Sequence, residues 1–221
     1  MKKILTIAAH PDDEVLGCGG TLLKHRKNND EIYIIFLADG VSSRENYKLK
    51  EITARKKQAK IVGKKIKAKK LYFLNLPDNK LDSIPLLNLI KKIEKIIKVI
   101  RPNIIYTHSY CDLNIDHRRA FEATMTACRP DKKSPIEEIY SFEIPSSTNL
   151  HHPKSMIFKP NYYVDISSQI KLKKNLLEVY KNELKKKISR SIKNVITLSK
   201  TRGSQSGCDY AEAFEVVRIL K

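Results

Sequence analysis

The apolar run Ile4–Ala9 stops at His10-Pro11-Asp12-Asp13-Glu14, and Val15-Leu16-Gly17-Cys18-Gly19-Gly20 follows. A short buried strand ending in a dense group of ionisable residues is how α/β enzymes present side chains at the carboxyl edge of a sheet. One histidine and two adjacent carboxylates can bind a divalent metal and still leave one carboxylate free as a base. The competing reading is an Asp-rich turn that only caps the next helix, but a cap needs one Asp and makes no use of His10. A second cluster runs from Thr107 to Arg118, contains His108, Asn114, Asp116 and His117, and also follows an apolar strand. His10, Asp13 and His117 together offer nitrogen, oxygen and nitrogen. Two histidines and a carboxylate with one open position form a catalytic zinc set. Such a metal draws the pKa of its bound water toward ~7. Asp12, beside Asp13, is then free to accept that water's proton and pass it to a leaving amine. Asp116 is placed to hold a neighbouring group by a hydrogen bond. The alternative, that His10 and His117 are purely structural, sits poorly with the acids around both at strand ends.

Periodicity supplies the elements that must position these residues. Continuous apolar runs predict strands at Ile4–Ala9, Ile32–Ala38, Leu71–Leu74 and Asn103–Thr107. Helical spacing predicts helices at Glu14–Lys27, Lys48–Val62 with Gly63 as the residue after the cap, Ile84–Ile100 and His117–Cys128. Gly17, Gly19 and Gly20 are poor helix-interior residues and suggest a close approach of the helix to a strand or ligand. Strand and helix alternate four times, which predicts a Rossmann-like, mostly parallel sheet with ligands beyond the strands' carboxyl ends. That edge gathers His10–Glu14, Asp39–Arg44, Leu76–Asp78 and His108–His117. The last third reads as an extension: strands at Ile139–Ile144, Tyr162–Val164 and Phe214–Leu220, helices at Ile170–Lys187 and Ser189–Thr201. With no linker or internal repeat in view, residues 1–221 read as a single domain.

Composition narrows the class. The chain has 221 residues, 41% of them apolar, with a mean hydropathy of −0.41, and no run approaches the ~20 apolar residues that span a bilayer. The apolar stretch after Met1-Lys2-Lys3 is too short for a signal peptide and lacks a cleavage site, so the protein is expected in the cytoplasm. Four cysteines without C-x-x-C spacing exclude a zinc knuckle and a redox pair; Cys18 and Cys128 read as core and Cys111 as a bystander. The net charge of +19 invites an anionic partner, but lysines outnumber the ten arginines by 33 to 10 and spread along whole helices. Base and phosphate readout favours Arg forks, so no specific nucleic-acid partner is expected.

Ala9-His10-Pro11-Asp12-Asp13-Glu14 and Asn114-Ile115-Asp116-His117 resemble the motifs of the PIG-L/LmbE family of metal-dependent N-deacetylases. The resemblance continues through Asp39–Arg44 and Ser141–Ser147 to Arg202-Gly203, Gly207 and Tyr210–Phe214, essentially the whole chain. It implies Zn²⁺ on His10, Asp13 and His117, with Fe²⁺ also suited to these ligands. It further implies Asp12 as general base, Arg44 as a substrate contact, and hydrolysis of an N-acetyl group from an amino sugar or its conjugate, in bacterial surface-polysaccharide or aminosugar pathways. A homo-oligomer is compatible with it. Many members carry a histidine where this chain has Asn114, which can donate from its amide but holds no proton charge. His108 is the candidate to supply the missing oxyanion contact. Lys187–Ser191 departs from a segment that in relatives often contains Pro-His. Two rival readings stand beside this one: a catalytically impaired member that binds glycan or nucleic acid through its basic surface, and a nucleotide-cofactor enzyme. The latter lacks the glycine fingerprint. Among the remaining residues, His25 is expected to be solvent-exposed, Glu212 and Arg218 to pair structurally, Glu14 to serve the helix start, and Tyr106 to pack in the core. Tyr110 is a candidate to line a sugar site, and His151-His152 to lie in a loop near the substrate entrance.

Overall fold

The computed structural model describes residues 1–148, 157–184 and 188–220; His151, His152 and Lys187 lie outside them. In chain order the elements are β1 (Lys3–Ala8), α1 (Asp13–Lys27), β2 (Glu31–Ala38), α2 (Leu49–Lys65), β3 (Lys70–Leu76), α3 (Leu86–Ile100), β4 (Ile104–His108) and α4 (Ile115–Ala127). There follow β5 (Glu138–Phe142), β6 (Tyr162–Asp165), α5 (Ile170–Val179), the single turn α6 (Lys181–Leu184), α7 (Ile192–Ser206) and β7 (Ala211–Ile219). Among the described residues the seven strands form one sheet in the order β3-β2-β1-β4-β5-β7-β6. β1 to β5 are parallel, and β7 runs antiparallel to both β5 and β6. The mostly parallel sheet therefore holds, and the last third extends that same sheet.

Chain order reverses across β1, which lies between β2 and β4. At such a switch point the loops leaving adjacent strands diverge to opposite faces and open a crevice. The crevice here lies between the loops after β1 and β4, the two segments that carry the motifs. Two cores flank the sheet. On one face Ile4, Phe36, Tyr106, Phe142 and Phe214 pack under α1, α2, α5 and α7. On the other, Leu5, Ile7 and Ile35 pack under Leu89 and Ile93 of α3 and Ala120 and Ala123 of α4.

Several local expectations are corrected. Gly63 is inside α2, which runs to Lys65; a Cβ there would lie 2.8 Å from Leu71 Cδ1, so the glycine serves a close helix–strand approach. Gly17 has the same role, with an added Cβ meeting the Phe142 ring at 2.3 Å. α1 breaks at Cys18 (φ −143°, ψ 21°). The freed N–H groups of Gly20 and Thr21 donate to the buried Glu212 carboxylate at 2.7 Å each, and Lys173 pairs with it at 2.6 Å. Glu212 is thus the partner of Lys173, and Arg218 instead donates to the Cys128 carbonyl at 2.9 Å. His25 is not solvent-exposed: its side chain retains 14% exposure, with Nδ1 2.8 Å from Asp30 Oδ2 and Nε2 3.0 Å from Tyr106 Oη.

Candidate active site

The turn after β1 aims two buried carboxylates, Asp12 and Asp13, toward the crevice. Ala9 N–H donates to His108 Nε2 at 2.9 Å, and Ala38 N–H donates to Ala9 O at 2.8 Å, fixing the strand's end. Asp12 then adopts φ 124°, a region that is costly for a residue with a Cβ. The conformation is held on both sides: Asp12 N–H donates to Glu14 Oε2 at 2.9 Å, and Asp12 O receives Val15 N–H and Leu16 N–H at 3.0 and 2.9 Å. Asp13 Oδ2 accepts from His10 N–H at 2.9 Å. Glu14 also receives the Tyr180 hydroxyl at 2.7 Å; burial pushes its carboxyl up to about 8, against the downward pull of those hydrogen bonds.

The second motif is organised by a cap. Asn114 Oδ1 accepts from Asp116 N–H at 2.8 Å and His117 N–H at 3.4 Å, so α4 starts at Ile115, two residues before the expected start. Asp116 and His117 therefore project from the first helical turn into the crevice.

Around Asp13 the rings have an inner and an outer nitrogen. His10 Nδ1 and His117 Nε2 face Asp13 Oδ2 at 3.3 and 3.4 Å. On the far side, His10 Nε2 meets Asp116 Oδ2 at 2.9 Å and Asp78 Oδ1 at 3.0 Å, and His117 Nδ1 meets Asp112 Oδ2 at 3.0 Å. Each outer carboxylate is itself anchored. Asp116 accepts from Asn79 N–H (2.7 Å) and Leu81 N–H (3.0 Å); Asp112 accepts from the Thr148 hydroxyl (2.6 Å) and the Ser147 hydroxyl (3.0 Å). A histidine whose outer nitrogen is held by a fixed carboxylate while its inner nitrogen is free is arranged as metal ligands are.

Three tests on the chain itself favour a cation here. The ligand atoms of His10, Asp13 and His117 lie within 4.8 Å of one another. His117 Nε2 is buried with no hydrogen-bond partner. The electrostatics also ask for positive charge. Burial works against it, yet the carboxylates hold His10 well above its ordinary pKa and bring His117 up to about 9. Asp13 is held well below the usual carboxylate range by His117 and His10, against burial. Two further clusters, His10–Asp78–Asp116 and His108–Asp112–His117, have compatible spacing, but in each the carboxylates are already filled by hydroxyl and backbone donors.

Asp12 is 1% exposed, with Oδ2 receiving Arg55 Nη2 at 2.8 Å and Oδ1 without a partner. Among the described residues seven buried side-chain polar atoms lack partners, and six of them belong to Asp12, Arg55, His108, His117 and Arg190. Such clustering at one place marks a site whose partners arrive with a ligand. A cavity of about 270 Å³ opens onto His10, Asp12, Arg44, Arg55, Asn114 and Arg190. A larger hollow of about 580 Å³ lies at the opposite end of the sheet and is lined by no histidine or cysteine.

Of the expected substrate contacts, Arg44 lines the cavity, where it pairs with Glu183 and donates to Gly40 O at 3.3 Å. Asn114 lines it too, with Nδ2 donating to Asn79 Oδ1 at 3.0 Å. His108 is not among the residues that line the cavity. It is the last residue of β4, fully buried, stacked on His117 with centroids 4.0 Å apart and edge-on to Phe142. Burial and the neighbouring His117 hold it well below its ordinary pKa; Nε2 accepts from Ala9 N–H and lies 3.5 Å from Asp13 Oδ2, while Nδ1 has no hydrogen-bond partner. Tyr110 is 40% exposed with its ring against Phe121, while Tyr106 is in the core.

Sequence reasoning missed Arg55, Tyr180 and Glu183; it placed Asp78 and Asp112 at the ligand edge and noted the segment of Arg190, but gave none of the three a role of its own. Arg55 left a signal: with Ala59, Val62 and Gly63 it forms the buried stripe of α2 in an otherwise lysine-rich helix.

The family model described as "PIG-L: GlcNAc-PI de-N-acetylase" matches residues 5–128, more than half of the chain. The chain belongs to the PIG-L family. This PIG-L chain is 26% identical over 237 residues to the diacetylchitobiose deacetylase of Thermococcus kodakarensis, covering 98% of this chain and 84% of that protein. Its fold is that of the N,N′-diacetylchitobiose deacetylase of Pyrococcus horikoshii, with a TM-score of 0.78 at 22% identity over 98% of this chain and 84% of the other. GalB, the 4-carboxy-2-hydroxymuconate hydratase of Pseudomonas putida KT2440, shares the fold equally: TM-score 0.76 and 20% identity over 100% and 99% of the two chains. At such identities the PIG-L fold alone does not choose the reaction; the site must.

Proposed function

We propose that the protein is a zinc-dependent N-deacetylase that releases acetate from an N-acetylated amino sugar or its nucleotide-, lipid- or glycoside-linked conjugate. The observation that carries this reading is the convergence of His10 Nδ1 and His117 Nε2 on Asp13 Oδ2, with the unpartnered Asp12 Oδ1 on the adjacent residue. His10, Asp13 and His117 would hold the ion, Zn²⁺ or Fe²⁺. The bound ion supplies a polarised acetyl carbonyl and a water acidified toward ~7.

The chain's own residues do the rest. Arg55 fixes Asp12 through Oδ2 and leaves Oδ1 to take a proton from the attacking water. As the water oxygen bonds to the acetyl carbon and the C–N bond breaks, Asp12 returns that proton to the departing nitrogen, giving acetate and a free amine. Asn114 has its carbonyl oxygen committed to the helix cap, so its NH₂ group is the part available to the acyl oxygen. Arg44, less buried at the cavity wall, is placed to grip sugar hydroxyls. Asp116 acts through His10 as a positioning residue. Bacterial surface-polysaccharide or aminosugar biosynthesis suits such a product, and four free cysteines suit a reducing cytoplasm.

The test is acetate release from a panel of N-acetyl sugars, free and conjugated, by Asp12→Asn against the parent protein. The variant is expected to keep one zinc and lose on the order of 10²–10⁴ in rate. Full turnover by zinc-loaded Asp12→Asn would sink the proposed proton transfer.

A further inference from the structure

Arg190 reaches the site from the short turn that precedes α7. It ends a single 3-10 turn, Ile188–Arg190, that buries none of its residues, and Ile188 is 85% exposed. The turn is instead tied to α7: Ser191 caps that helix by accepting from Asn194 N–H at 3.3 Å, and Asn194 Nδ2 donates back to Ile188 O at 2.7 Å. α7 is seated through Val195, Ser199 and Gly203. The base of Arg190 is therefore fixed by a helix that is anchored through three buried residues, and its guanidinium extends into the cavity wall. There Nη2 donates to Asp13 Oδ1 at 3.2 Å, and Nη1 stands 4.0 Å from Asp12 Oδ2.

Asp13 thus has two differently employed oxygens. Oδ2 is turned to His10 Nδ1, His117 Nε2 and the His10 amide. Oδ1 is turned away, to Arg190. A carboxylate with both oxygens free can bind an ion through either or both, and the choice changes coordination number and the room left for water.

We infer that Arg190 is a positioning residue: it occupies Asp13 Oδ1 so that Oδ2 alone is offered to the ion, and links α7 to the metal site. This rests on the reading of His10, Asp13 and His117 as ligands. Its charge matters less than its geometry, since a planar guanidinium can hold Oδ1 while a second nitrogen faces Asp12, and an ammonium presents a single point.

The experiment compares the parent protein with Arg190→Lys and Arg190→Gln. Zinc affinity is measured by competition with a chelator, and the visible spectrum is recorded after loading with Co²⁺, whose band intensity falls as coordination number rises. Both variants are expected to bind zinc about 10- to 100-fold more weakly. Their cobalt bands are expected to weaken as Oδ1 joins the ion, with Arg190→Lys recovering only part of the parent signal. Zinc affinity within twofold and an unchanged cobalt spectrum in Arg190→Gln would overturn the inference while leaving the ligand set intact. If Arg190→Gln does not fold, Arg190→Lys is decided by the same two readouts. A parent protein that takes up neither ion would overturn the ligand set itself, and this inference with it.

Discussion

Two histidines at opposite ends of the sheet show how the same pairing produces different chemistry. His25, near the amino ends of the strands, has Nδ1 on Asp30 and Nε2 on the Tyr106 hydroxyl. His117, at the carboxyl ends, has Nδ1 on Asp112 and Nε2 open toward Asp13. Each imidazole, half-buried at His25 and buried at His117, is oriented through Nδ1 by one carboxylate. Burial wins at His25 and lowers its pKa, because one acid and a neutral phenol complete its shell. At His117 two acids overcome burial and raise it. The first is a closed structural pair, the second an open one, and the difference lies in what faces the remaining nitrogen.

Predictions follow that contrast in descending size. His117→Ala is expected to abolish stoichiometric zinc binding and reduce acetate release to background; retained stoichiometric zinc would mean the open nitrogen is not a ligand. Asp112→Asn keeps the shape but removes the charge that orients His117, and chelator competition should show zinc bound roughly 10- to 100-fold more weakly. Arg55→Lys preserves charge but not the fork on Asp12, so kcat is expected to fall with zinc content unchanged; unchanged kcat would make Arg55 a bystander. His25→Ala strands Asp30 and the Tyr106 hydroxyl and should cost about 1–3 kcal/mol in denaturant unfolding, with zinc affinity unmoved. A zinc effect from His25 would erase the contrast between the two ends.

Much of the candidate site was legible in the sequence because the residues proposed as its centre lie at the ends of two apolar strands and come together in the fold. His10, Asp12 and Asp13 are consecutive or nearly so, and His117 follows the strand that pairs with β1. The anchoring residues were not legible, since Arg55, Asp112 and Arg190 acquire meaning only from contacts made across elements. The depth of His108 was not legible for a related reason: β4 runs one residue further than its apolar pattern, which pairs His108 with Phe142 in β5 and stacks its ring on His117. His25 was misjudged from its polar sequence neighbours, although it stands four residues after the buried Thr21 and three after the buried Leu22 on α1. The last third read as an appendage because antiparallel β7 joins β5 and β6 across long sequence separations that no local period reveals.

The most direct test of the central claim is a zinc titration of metal-stripped protein with acetate release followed on N-acetylglucosamine and N,N′-diacetylchitobiose. The account predicts no turnover without metal and a rise that saturates at one equivalent of zinc, absent in Asp13→Ala. Turnover by metal-free protein, or one tightly bound zinc in Asp13→Ala with full rate, would contradict it.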